Sequence, residues 1–261
     1  MKKLLILSAL FLFAKGGLFA QDENNLKNFR FGLKATPTFN WLRPDDKKLE
    51  KDGTLAGIKY GLITEFRLNA VASFSTGIEG SHVGGRVNYT DSAYYFVHDD
   101  AYMAKEDTAG HSNDLAVYRL TNREFRITYV TVPVTLKLKT KDIGGMTYFG
   151  MFGGDLNFRA GAKATDKNVS SFVPPNTTFD PTKVDITKDV NLFTVNLNVG
   201  AGMEYNLSGT TSFVASLNYN RGFMSALKAD SEYLMNPDVD ATPYRQKAYL
   251  DGIVVTVGVM F

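Results

Sequence analysis

After residue 28 the chain is organised by a period of two. From Phe29 to Trp41 the odd positions are Phe29, Phe31, Leu33, Ala35, Pro37, Phe39 and Trp41, and the even positions are Arg30, Gly32, Lys34, Thr36, Thr38 and Asn40. Only an extended strand turns this alternation into one apolar and one polar face; a helix would spread the aromatics around its circumference. Ile58, Tyr60, Leu62, Phe66 and Leu68 alternate in the same way with Gly57, Lys59, Gly61, Glu65 and Arg67. Val130, Val132, Val134, Leu136 and Leu138 alternate with Tyr129, Thr131, Pro133, Thr135 and Lys137. Val195 to Tyr205, Phe213 to Tyr219 and Ile253 to Phe261 repeat the pattern.

Two weaker segments complete the set, at about 71–90 and 145–160. The first sets Phe74 and Ile78 opposite Ser73, Ser75 and Glu79, then loses its phase near Gly84-Gly85, where a bulge is expected. The second sets Tyr148, Phe152, Leu156 and Phe158 against Asp155, Asn157 and Arg159. Pro37 and Pro133 fall inside strands, where each deletes a ladder donor and predicts a local bulge or a position near the rim.

Eight strands result, and their connections alternate in length. Short turns fall at Asn69-Ala70, Lys141 to Gly145 and Ser208-Gly209; long connections run at about 42–53, 91–124, 161–189 and 225–247. This layout predicts an all-β fold, an eight-stranded antiparallel up-and-down transmembrane β-barrel with long extracellular loops. An even strand count then places both termini at the periplasmic, short-turn end.

A soluble eight-stranded barrel also alternates, with its apolar face inward. Here the polar face is rich in Gly, Ser, Thr and Asn and carries charges of both signs: Arg30, Lys34, Lys59, Arg67, Lys137 and Arg159 against Glu65, Glu79, Asp155 and Glu204. Small residues and compensating charges suit a narrow, side-chain-filled interior, so these ten are expected to form an interior charge network. The apolar face carries aromatics near strand ends, namely Phe29, Trp41, Phe66, Tyr148, Tyr205, Phe213 and Phe223, which suit interfacial girdles. A strand of eleven residues tilted by about 40° covers roughly 28 Å, the height of an outer-membrane apolar band.

The start of the chain changes the picture of where the barrel resides. Lys2 and Lys3 precede an apolar run from Leu4 to Ala14, and Leu18-Phe19-Ala20 closes the segment before Gln21. Residues 1–20 read as a cleaved secretory signal, too short to span a bilayer. Residues 21–28 follow as a short periplasmic segment, and residues 29–261 as the barrel domain. Removing Lys2, Lys3 and Lys15 takes the 29 basic residues to 26, against 27 acidic ones, so no basic field for nucleic acid remains. Zero cysteine excludes disulfides, thiolate metal sites and a cysteine-anchored lipid. Mean hydropathy is only −0.15 although the chain carries 19 Phe and 13 Tyr; interleaved lipid-facing and lumen-facing residues produce that average.

The loops carry little chemistry. His98-Asp99-Asp100 and His111-Ser112-Asn113-Asp114 read as a solvated polar loop, with a weak cation site and a hydrolase-like set as the sharper alternatives. No ordered nucleophile, base and oxyanion donors are recognisable, so no enzymatic activity, cofactor or metal is expected. Tyr94-Tyr95-Phe96 and the stretch around Phe172 are apolar islands that pack loop on loop or form a partner-binding patch.

The segment Tyr129-Val130-Thr131-Val132-Pro133-Val134-Thr135-Leu136-Lys137 resembles a strand of the PorT-type outer-membrane β-barrel family of Bacteroidota. The glycine-rich Tyr148-Phe149-Gly150-Met151-Phe152-Gly153-Gly154 resembles that family's next strand, and Gly258-Val259-Met260-Phe261 is similar to the terminal aromatic signal read by barrel-assembly machinery. Thr131 stands where a glutamate is common. The resemblance implies an outer-membrane barrel in contact with outer-membrane lipids and the assembly machinery, with no single activity attached; the namesake is a component of the type IX secretion apparatus. The expectation is a non-enzymatic platform that binds secretion or envelope proteins through loops or rim. A small diffusion channel is the alternative, followed by an envelope enzyme or an adhesin. Deleting Phe261 is expected to impair assembly, read as loss of the heat-shifted band of the folded barrel on a detergent gel; unchanged membrane insertion would refute the terminal signal.

Overall fold

The computed structural model describes residues 29–98, 101–104, 107, 115–172, 182–236 and 242–261. Residues 1–28, which carry the expected signal (1–20) and the expected periplasmic segment (21–28), lie outside them. In chain order the strands are β1 (Phe29–Pro44), β2 (Leu49–Lys51), β3 (Leu55–Arg67), β4 (Ala72–His98), β5 (Ala101–Met103), β6 (Ala116–Lys139) and β7 (Met146–Phe172). They continue with β8 (Val184–Asp185), β9 (Phe193–Ser208), β10 (Thr211–Gly222), β11 (Asp230–Met235), β12 (Pro243–Arg245) and β13 (Ala248–Met260). Among the described residues no helix is long and apolar enough to cross a membrane.

The eight long strands β1, β3, β4, β6, β7, β9, β10 and β13 form one antiparallel ring, closed where β13 pairs with β1, as in Leu33↔Val259. The short strands β2, β5, β8, β11 and β12 belong to the long connections. Gly209, at φ 55°, makes the tight turn between β9 and β10 that a side chain would resist.

The expected alternation sets the faces of the lower barrel. Ile78 is 62% exposed on the outside while its neighbour Glu79 is 3% exposed inside. Aromatic rings cluster at two levels of the outer face. Phe29 lies 5.1 Å from Phe66, and Phe31 5.7 Å from Phe261, near the short-turn end. Phe158 lies 5.2 Å from Phe193, and Trp41 6.3 Å from Tyr219, near the other. Lys51 stands 4.4 Å over Trp41 and Arg43 4.7 Å over Tyr249, as amphipathic side chains do at a membrane interface.

Neither the bulge expected at Gly84-Gly85 nor those expected at the prolines forms. β4 and β6 keep one register from Glu79↔Thr131 to Asn88↔Asn122, and the irregularity sits between Asn88 and Ala93. The missing proline donors interrupt pairing locally, between Ala35 and Thr38 in the β1–β13 ladder and between Thr76 and Glu79 in the β4–β6 ladder, without moving either register.

What changes along β4 is the chemistry of the inward face. Inward residues are Ser73, Ser75, Glu79 and Ser81, then Val83, Val87, Tyr89, Ala93, Tyr95 and Val97. β6 changes likewise between Thr131 and Tyr129, beyond which Ile127 and Phe125 are buried, and β1 between Asn40 and Leu42. Beyond the apolar outer band the wall therefore turns inside out and encloses a conventional apolar core. β4, β6 and β7 run on into this dome, so the loops of the second and third long connections are shorter than the sequence pattern suggests. Gly85 permits the closure: a Cβ there would lie 2.5 Å from the Leu42 backbone nitrogen, so β4 packs directly on β1 once β3 has ended.

Phe125 is fully buried in this dome. Phe125→Ala is expected to cost about 3–5 kcal/mol in urea unfolding from lipid vesicles, against about 1 kcal/mol or less for lipid-facing Val130→Ala. Equal effects would contradict the inversion.

Candidate functional site

The lumen of the lower barrel is braced in tiers. Nearest the short-turn end, Glu65 and Glu204 lie among three cations. Lys137 Nζ is 2.9 Å from Glu65 Oε2 and 3.6 Å from Glu204 Oε1, Lys139 Nζ is 2.8 Å from Glu204 Oε1 and also pairs with Glu65, and Arg30 Nη1 is 2.8 Å from Glu204 Oε2. These pairs join β1, β3, β6 and β9 across the lumen. Above them Lys34 pairs with Glu79 at 2.6 Å and Lys59 with Asp155 at 2.9 Å. Asp155 also accepts hydrogen bonds from the side-chain amides of Asn198 at 2.9 Å and Asn220 at 2.8 Å.

A neutral tier follows. Ser81 and Thr131 hydroxyls are 2.9 Å apart, Thr131 donates to Asn157 Oδ1 at 2.8 Å, and Asn157 donates to Asn196 Oδ1 at 3.3 Å. Thr131 thus uses a neutral hydroxyl where a carboxylate would require another cation. The space left around Lys34, Lys59, Glu79 and Asp155 is a cavity of about 60 Å³, room for a few water molecules.

Beyond the neutral tier the dome is pinned by a second ionic cluster. The Arg123 guanidinium donates to both oxygens of Asp166, at 2.8 and 2.7 Å, and stands 3.7 Å from Asp189. All three side chains are fully buried. Tyr102 donates to Asp166, and burial raises its phenol pKa, which keeps the donating proton in place. Asp189 accepts from Ser231 Oγ and the Glu232 backbone N–H, both at 2.7 Å. Burial pushes its carboxyl pKa up despite the Arg123 charge. This cluster ties β5, β6, β7, the turn at Thr187–Asp189 and β11 into one cap.

The expected network is thus largely assembled in space: Arg30, Lys34, Lys59, Glu65, Glu79, Lys137, Asp155 and Glu204 all enter ion pairs. Among the described residues Arg67 does not; its Nε donates to the Asn69 carbonyl at 3.2 Å, at the turn. Arg159 does not either; its guanidinium donates to the carbonyls of Thr187 and Val190, beneath the dome. Lys139 was not among the expected members, although its position two residues beyond Lys137 places it on the same face. Arg123, Asp166 and Asp189 are likewise additional, and their separations in sequence leave no local signal.

The loop expectations need correction. Tyr94, Tyr95 and Phe96 belong to β4 rather than to a loop. Tyr95 is fully buried in the dome, 4.8 Å from Tyr102 and 5.6 Å from Tyr118, and so presents nothing to a partner, while Tyr94 and Phe96 are half-buried. Phe172 closes β7 opposite Val117. Asp99, Asp100 and His111 to Asp114 lie outside the described residues, and His98 ends β4. Among the described residues no group of three or more His, Cys, Asp or Glu could hold a metal ion. Phe261, outside the ladder's last pair, exchanges backbone hydrogen bonds with Phe31 at 2.7 and 3.4 Å, which fastens the C-terminus to β1.

The braces make a specific prediction. Lys59→Met leaves Asp155 buried without its cation and is expected to cost about 3–5 kcal/mol in urea unfolding. Adding Asp155→Asn to that variant is expected to return more than half of the loss. Additive losses would mean that the two side chains do not act as a pair.

The family comparison agrees with this architecture. Residues 19–228 match the family model described as outer membrane protein beta-barrel domain. The chain matches no curated protein in sequence. Among solved structures it is similar to Neisserial surface protein A, at 10% identity and a TM-score of 0.40, covering 91% of this chain and 98% of that one. It is similar to OprG from Pseudomonas aeruginosa, at 10% identity and 0.42, covering 92% and 98%. It is also similar to a major outer membrane protein from Thermus thermophilus, at 12% identity and 0.41, covering 90% and 99%. With a match over most of its length and a closed ring whose outer face is an apolar band between aromatic girdles, the chain belongs to the outer-membrane β-barrel domain family.

Proposed function

We propose that this protein is a closed, non-enzymatic platform in the outer membrane, which works through the surfaces it presents and not through its lumen. The short-turn end, with both termini, faces the periplasm. The dome faces the exterior and is the surface offered to secretion or envelope proteins, in keeping with the resemblance of the strand at Tyr129 to Lys137 to a secretion-associated family.

One observation carries this reading: the lumen is closed twice. Cross-lumen ion pairs leave a cavity of about 60 Å³, and an apolar core pinned by Arg123, Asp166 and Asp189 caps it. A diffusion channel needs a continuous aqueous path. Opening one here would separate several buried charge pairs in a low-dielectric space, at a cost of several kcal/mol for each ion left alone.

The purified barrel in planar bilayers is expected to show no steady conductance, and cross-linking in native membranes is expected to capture a partner through dome residues. A reproducible single-channel conductance would overturn the platform in favour of the small diffusion channel. Cross-links confined to the short-turn rim would move the partner surface to the periplasmic side.

A further inference from the structure

On the outside of the barrel, where the wall steps inward to form the dome, lies a groove of about 720 Å³. Its origin is the end of β3. Pairing of β3 with β4 stops at Ile58↔His82; beyond it β4 closes on the Leu42 backbone at Gly85 and pairs with the short β2 from Lys51↔Val87 to Leu49↔Tyr89. The outer face of β4, β6 and β7 is left concave at this level. Small residues line the recess: Ala56, Gly57, Ala160, Gly161 and Ala162. A Cβ at Gly161 would meet nothing within 4 Å, so the recess is open there.

The groove sits at a chemical boundary. Directly on its short-turn side are the lipid-facing Ile58, Tyr60, Val130 and Phe158, each 45–51% exposed. On its dome side stand Arg126, Lys163 and Lys183. Arg126 is held by Glu124 at 2.7 Å. Lys163 and Lys183 are exposed and form no ion pair within the described residues; Asp185 is the one acid lining the groove. His82 is committed to Tyr60 and Thr128, at 3.3 and 3.2 Å. Lys183 is also the one non-glycine residue with positive φ, 59°, among the described residues. Its backbone N–H donates to Thr165 Oγ1 at 3.4 Å, which fixes it beside β7. Backbone strain of this kind persists where surrounding structure holds it, and such positions cluster at binding sites.

An apolar wall, then a recess with room for a headgroup, then two unpaired ammonium groups is the order met along an anionic amphiphile embedded in the same leaflet. We propose that this groove binds the phosphate-bearing headgroup of a membrane lipid, with Lys163 and Lys183 on the phosphate and the acyl chains lying along Ile58, Tyr60 and Val130. The assignment does not depend on the platform reading, since it concerns the outer wall alone.

The full-length barrel in detergent micelles would be titrated with diphosphoryl lipid A and followed by native mass spectrometry. One tightly retained molecule per barrel is expected. Retention should weaken at least tenfold in K163E/K183E, and comparably in K163Q/K183Q and in G161F, which fills the recess; each variant should keep the heat-shifted band of a folded barrel. Dephosphorylated lipid A should bind at least tenfold more weakly than the phosphorylated form, and inorganic phosphate should not displace the lipid. Equal retention by wild type and folded variants, equal binding of the dephosphorylated lipid, or displacement by inorganic phosphate at the lipid's concentration would each overturn the proposal.

Discussion

An interior only eight strands round holds too little water to solvate a charge, so every charge that points inward must be met by another from across the lumen. Much of the lower barrel follows from this. Five cations, Arg30, Lys34, Lys59, Lys137 and Lys139, meet four carboxylates, Glu65, Glu79, Asp155 and Glu204. The pairs span non-neighbouring strands, so they hold the lumen closed and leave none of these inward carboxylates without a cation. Lipid imposes the complementary demand outside, where no backbone donor can go unpaired and closure of the sheet removes its edges.

That constraint ends where the lipid does, and the wall responds by exchanging its faces. The direction of each side chain is unchanged along β4, yet Ser81 and Val83, two residues apart on the same inward face, belong to opposite solvation regimes. Below, the polar face is inside because hydrocarbon is outside. Above, the apolar face is inside because water is outside. The dome is thus a small water-facing β-structure grown on a membrane barrel by continuous strands. Its own buried ionic cluster does for the cap what the lower pairs do for the lumen. The step between the two regimes creates the groove beneath it.

The eight strands, their order and the short turns were legible because a period of two is a local signal and the lipid makes it strong. Eight members of the inner network were legible for the same reason. Lys139 was within reach, since it continues the inward face of Lys137 past Leu138. Arg67 and Arg159 obeyed the period but lie at the ends of the polar stretch, where backbone carbonyls satisfy them. The extension of β4 through Tyr94 to Phe96 was not legible. A reversal of which face is apolar looks in sequence like a slip of register, and Gly84-Gly85 invited that reading. The Arg123–Asp166–Asp189 cluster left no trace because Arg123 and Asp166 meet only through the register of β6 on β7, and Asp189 only where the following connection folds back over them.

The exchange of faces is open to one direct measurement, made simple by a chain that has no cysteine. Spin labels placed singly at Ile78, Arg86 and Val87 of the barrel in lipid vesicles would report their surroundings by accessibility to oxygen and to a water-soluble nickel chelate. The label at position 78 should be open to oxygen, that at 86 to nickel, and that at 87 to neither. Oxygen accessibility continuing to 86, or lipid exposure at 87, would contradict a wall that turns inside out between Ser81 and Val83.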